Sequence, residues 1–141
     1  DRVISLKSNM SLGRTVSPDT IMWWLTQDKE AQKGLYEGEI TNLRSALVAL
    51  RTWIEAQRPR ATRIWAKDPD FDVTILNHAF NMIGDRLPFH FAETRSVRTM
   101  TDVAYPDGDV PLITVGTAHR ASDDAIKQAL MVQHCWRAVN K

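Results

Sequence analysis

Two short stretches of this sequence hold side chains able to do chemistry together. The first is Phe71-Asp72, which follows an apolar stretch and a short acidic loop, Asp68-Pro69-Asp70, and opens a helical pattern. A carboxylate just past the end of a strand lies where open sheets gather their ligand sites. The same aspartate is equally suited to cap the helix that follows it, so both readings stand. The second stretch is His119-Arg120-Ala121-Ser122-Asp123-Asp124-Ala125. In regular helix, at about 100° per residue, His119 and Asp124 would lie about 140° apart and share no face. They converge only if His119 belongs to the loop before a helix and Asp124 to its first turns. A loop histidine beside a helix carboxylate suits a mobile general base next to a fixed metal ligand. The structural alternative is that Asp123 and Asp124 answer the positive end of the helix dipole and that His119 is a capping residue. The run Asp68 to Asp72 also mimics the start of a calcium loop. That reading fails, because Val73 stands at the glycine position and Ala79 at the closing glutamate position.

Aromatic and basic residues offer a second kind of chemistry. An exposed tryptophan can stack on a nucleic-acid base, which makes Trp23 and Trp24 candidates. Two aromatics in so short a helix are more commonly core residues, and at least one is expected there. Arg95 and Arg98 can contact phosphate or serve as structural partners of nearby carboxylates.

These residues need elements to position them. Residues 2–7 read as a short strand. Ser17-Pro18-Asp19 is a helix start, with a hydroxyl cap, proline at the first position and an acid favoured by the dipole. Ile21, Trp24 and Leu25 share one side of that helix. A short helix over 29–36 stops near Gly38. Leu43, Ala46, Leu47, Leu50, Trp53 and Ile54 recur at three- and four-residue steps, the clearest helix in the chain. Thr41 or Asn42 can cap it, and Pro59 lies past its end. Residues 62–66 read as a strand. Ile75, Leu76, Ala79, Phe80 and Ile83 form another helical face, closed by Gly84. Residues 89–97 read as an extended segment, 97–103 as a short helix and 105–117 as a loop rich in proline and glycine. The last helix runs over about 121–139, with a stripe of Ala121, Ala125, Ala129, Val132 and Trp136 small enough to lie close to a sheet. Alternating strands and helices argue for an α/β architecture with a covered sheet. Only about three strands are visible, fewer than such apolar helices need.

The length of 141 residues suits one domain with its own core. Eighteen Lys and Arg balance 17 Asp and Glu, a net charge of +1, so any nucleic-acid partner must be held by a local basic surface. The single cysteine, Cys135, excludes an internal disulfide and reads as a buried thiol in a cytoplasmic protein. No apolar run is long enough for a membrane span.

Taken together, the motifs resemble the DEDD 3′→5′ exonucleases of the histidine subtype. Thr20-Ile21-Met22-Trp23-Trp24-Leu25-Thr26-Gln27 resembles T-I-x-W-W-x-x-Q, with Glu30-Ala31 behind it. Ile64-Trp65, Phe71-Asp72 and Ile75-Leu76 resemble V-W-G-x-G-x-x-F-D-x-x-I-L. Arg95 to Thr99 resembles R-D-V-R-T, and His119 to Ala125, with Gln128-Ala129, resembles H-x-A-L-D-D-A. The likeness runs from about residue 16 to 136. It points to a branch from phages, prophages and bacteria that includes exoribonuclease-like and exodeoxyribonuclease VIII-like members.

The resemblance implies an RNase H-like mixed sheet flanked by helices, in one domain over residues 1–141. It also implies hydrolysis with two Mg²⁺ or Mn²⁺ ions at single-stranded RNA or DNA 3′ ends, and relatives that are often homodimers. By position, Asp72 and Asp124 are metal ligands, His119 is the general base and Asp123 is structural. The family opens with a strand bearing D-x-E, which supplies two more ligands. Residues 1–15 hold no match to it, so an incomplete N-terminus is the expectation. Lys67, Asp68 and Ser96 stand where the family has asparagine, glycine and aspartate. The competing expectation is a relative without nuclease activity that serves as a binding or assembly module.

Overall fold

The computed structural model describes residues 2–57 and 63–140. Its elements run β1 (Val3–Ile4), α1 (Leu6–Ser11), α2 (Pro18–Leu25), α3 (Lys29–Lys33), β2 (Ile40–Thr41) and α4 (Leu43–Gln57). They continue with β3 (Ile64–Ala66), α5 (Pro69–Met82), a single 3-10 turn (Phe91–Glu93), β4 (Thr94–Ser96), α6 (Val97–Ala104) and α7 (Ala121–Val139). The α/β class holds, and the strands among the described residues form two parallel ladders. β1 pairs with β2, and β3 pairs with β4 in the register Ile64–Thr94, Trp65–Arg95, Ala66–Ser96. No described helix is long and apolar enough to cross a membrane.

The chain gathers into two compact units, Asp1–Gln57 with Asn77–Pro88, and Arg58–Leu76 with Phe89–Lys141. In the first, Ser17 accepts a hydrogen bond from the Thr20 N–H with Pro18 at the first helical position, as its sequence requires. Asn42, rather than Thr41, caps α4, its side-chain oxygen accepting from the Ser45 N–H at 2.8 Å. Leu43, Leu47 and Ile54 put one face of α4 into a core with Ala31, Ala79, Phe80 and Ile83. Arg51 lies 5.6 Å above the Phe80 ring and binds the Asp85 carboxylate. Two expectations are corrected here. The strand over 2–7 shrinks to Val3–Ile4, because the Ser5 hydroxyl accepts from the Ser8 N–H and starts α1 instead. Neither Trp23 nor Trp24 is buried, since α2 buries none of its residues.

In the second unit, α7 packs against α6 and β3. Cys135 is fully buried, its thiol donating to the Thr101 hydroxyl at 3.9 Å. Ala66, Phe89 and Val97 are also buried. The expected strand over 62–66 is Ile64–Ala66, with residue 62 outside the described residues. The segment 89–97 is not extended throughout. His90 accepts from the Ala92 N–H, and the Glu93 carboxylate accepts from the His90 N–H, a reciprocal cap that winds the 3-10 turn before β4. α7 lies close to β3 as its stripe predicts, but without close packing along the stripe: Ala121, Ala125 and Ala129 are exposed and line a cleft with Ile64, Trp65 and Ala66 of β3.

Candidate active site

The three residues singled out for catalysis all lie in the second unit. Asp72 is not the cap of α5. Pro69 takes the first position of that helix, and the Asp68 carbonyl accepts from the Phe71 and Asp72 N–H groups at 2.9 and 3.1 Å. Asp72 therefore stands in the first turn with its side chain exposed, released from capping. It lines a cleft of about 690 Å³ along β3 and α7, with Trp65, Ala66, Ala125 and Asp124.

Asp124 sits in the first turn of α7 and lines this cleft and a second one of about 550 Å³. The second cleft holds His119, in the turn just before α7, as the helical geometry required. His119 is the only described residue other than glycine with positive φ, at 65°. That left-handed conformation costs a side-chain-bearing residue on the order of 1–2 kcal/mol, and residues held this way concentrate at functional sites. The turn is tethered rather than loose, despite its proline and glycine content. The Asp123 carboxylate accepts from the Thr117 N–H at 2.8 Å, and the Arg120 N–H donates to the Thr117 carbonyl at 3.3 Å. Asp123 thus braces the turn, while Asp124 is left to face the clefts.

The candidate nucleic-acid residues scatter. Trp23 and Trp24 stack edge to face, 5.0 Å apart, on α2 of the other unit. Arg95, on β4, donates to the Ala92 and Thr94 carbonyls, both at 2.7 Å, and so stabilises the 3-10 turn. Arg98 does line the cleft with His119, and its guanidinium pairs with Asp68 at 2.6 Å.

A family model described as the 3'-5' exoribonuclease Rv2179c-like domain matches residues 1–136. The chain belongs to that family. No individual curated protein and no solved structure gives a significant match. Membership of an exoribonuclease-like family makes the chain a nuclease in kind, and the positions where its motifs depart from the exonuclease pattern can be seen in place. Ser96 caps α6, its hydroxyl accepting from the Thr99 N–H at 3.1 Å. Serine and aspartate are near equals as helix caps, so this exchange keeps the start of α6. Asp68, at a glycine position, supplies the partner of Arg98.

Sequence reasoning missed Thr101, Asp102 and Lys127 in the cleft with His119, and it named Lys67 and Gln128 only as motif positions. Two of them left a signal. Lys127 is three residues beyond Asp124, hence on the same helical face, and Lys67 immediately follows a predicted strand.

Proposed function

We propose that this chain is a single exonuclease domain of the DEDD class, histidine subtype, that hydrolyses the terminal phosphodiester at the 3′ end of single-stranded RNA with a divalent cation. The observation that carries the reading is the position of Asp124. It lines one cleft with His119 and another with Asp72.

Asp72 and Asp124 are the residues that would hold Mg²⁺ or Mn²⁺. Their oxygens are the hard donors these ions prefer, and Mg²⁺ commonly binds through one or two carboxylates with waters and substrate phosphates completing its shell. Among the described residues no three His, Cys, Asp or Glu side chains come together as a ready-made ion site. In the family pattern the two D-x-E carboxylates, with water and RNA phosphate, would supply the remaining ligands. A divalent ion held there would supply Lewis-acid stabilisation of the charge that develops on the phosphoryl group. His119 takes the proton of the attacking water, a role suited to histidine near neutral pH. Its tethered turn holds the ring at the cleft while Asp124 stays fixed on α7.

Two measurements test this. His119→Ala is expected to lower turnover on 3′-labelled RNA by roughly 10²–10⁴-fold with RNA affinity kept. Near-normal turnover with a lowered melting temperature would reduce His119 to a capping residue. Asp124→Asn is expected to abolish Mn²⁺ binding in titration calorimetry together with activity, and unchanged binding would count against its role. A parallel single-stranded DNA substrate separates the two nucleic acids. RNA binding without nucleotide release at any Mn²⁺ concentration would identify the chain as a nuclease-dead binding module.

A further inference from the structure

The cleft that holds His119 and Asp124 is lined by three cations from three separate elements. Lys67 directly follows β3, Arg98 lies on α6 and Lys127 on α7. They meet two carboxylates there, Asp102 and Asp124. The chain as a whole is almost neutral, at +1, so this gathering is local and not a consequence of bulk charge. The three cations are not equivalent. The Arg98 guanidinium is engaged by Asp68 at 2.6 Å. Lys67 and Lys127 are exposed, and neither forms an ion pair among the described residues.

Lys127 lies one helical step, i to i+3, from Asp124, so its ammonium projects on the face that carries the candidate metal ligand. Lys67 continues the chain beyond the C-terminal end of β3, where Asp72 also follows. A cleft of carboxylates alone would repel the phosphodiester it is meant to cut. Two ammonium groups on its wall offset that repulsion. Lysine acts on phosphate as a point charge and demands no fixed hydrogen-bond geometry, which suits a strand that must advance after each nucleotide is released.

We infer that Lys67 and Lys127 form a phosphate-binding pair that grips the backbone of single-stranded RNA beside His119 and Asp124, independently of base sequence. This deepens the hydrolytic reading of the same cleft, and it makes the lysines, rather than Arg98, the principal phosphate ligands.

The test uses a 5′-fluorescein-labelled single-stranded oligoribonucleotide. Its binding is followed by anisotropy in EDTA, where hydrolysis is blocked, over a series of salt concentrations. Removing one cation that neutralises a phosphate of a single strand lowers the slope of log K against log salt by about 0.7. Lys67→Gln and Lys127→Gln should each show that change, and the double variant about 1.4. With metal present, KM should rise while kcat stays within a few-fold, and Lys→Arg at either site should restore binding. Lys33→Gln, which removes a lysine paired with Glu30 in the other unit, serves as the control and should change nothing. An unchanged salt slope in the double variant, whether kcat falls or holds, overturns the phosphate pair while leaving hydrolysis to be judged by His119. A lowered slope in a protein that releases no nucleotide upholds the pair and overturns the hydrolytic reading instead.

Discussion

Gly116 governs how closely the turn before α7 can approach that helix. Its φ is 46°, and a Cβ added there would overlap an Asp123 carboxylate oxygen. That carboxylate already accepts from the Thr117 N–H, so alanine at this position must break the bond or displace the helix start. Gly116→Ala is expected to destabilise the fold by about 2 kcal/mol and to lower turnover while sparing RNA affinity, because the turn carries His119. Thermal melts and nucleotide release measured on one preparation check it, and an unchanged kcat would separate the turn from catalysis. Away from the site, Asp85 gives a pH-dependent prediction. The Arg86 backbone N–H, at 2.8 Å, and then the Arg51 guanidinium hold its carboxyl below the usual aspartate range. A depressed folded-state value means that this contribution is present above the ordinary aspartate range and is lost as pH falls through and below it. Denaturant titrations from neutral to acid pH should show a shallower acid loss for Asp85→Asn than for the unaltered chain, from a lower starting stability. Parallel acid limbs in the two proteins would refute the assignment.

At the scale of elements, α6 is the piece that joins β4 to the cleft. Its first residue, Val97, is buried, and Arg98, Thr101 and Asp102 line the cleft. Ser96 starts this helix as its cap and lies within 3.4 Å of the Lys67 carbonyl, linking the ends of β3 and β4. Ser96→Ala should therefore cost about 1 kcal/mol, whereas Ser96→Asp should cost less, since aspartate keeps the cap but cannot donate to the Lys67 carbonyl. Melting temperatures of the two variants decide this. If Ser96→Asp instead raised activity sharply, the aspartate found here in the exonuclease motif would have a role beyond capping.

At the scale of the molecule, the buried apolar residues among those described are few and mostly small or medium in size, while large apolar side chains remain in contact with water. Phe71, Phe91, Leu112 and Trp136 are all more than half exposed, and the two ladders hold only two and three residue pairs. Paired strands this short are marginal without further packing. The 141-residue chain by itself should bind a hydrophobicity-reporting dye, and Trp136→Gln should lower that signal. Dye fluorescence no higher than that of a compact globular control would contradict the exposure described here.

The helices were legible in the residues themselves, because each is announced locally. Ser17-Pro18 starts α2, the three- and four-residue apolar steps define α4, Gly84 ends α5, and α7 occupies the span its pattern predicted. The convergence of His119 with Asp124 was also legible, as helical geometry permits it only when a turn precedes the helix. Other features depended on partners distant in sequence, which no local pattern encodes. The stripe of α7 needs a sheet to cover it, and its spacing cannot tell whether one does. Trp23 and Trp24 have the composition of core residues, yet burial depends on what packs against α2. The cations of the cleft come from a strand end near residue 67, a helix near 98 and another near 127. Only the pairing of β3 with β4 and the packing of α6 against α7 bring them to one wall, because charge carries no sequence period and its address is set by the fold.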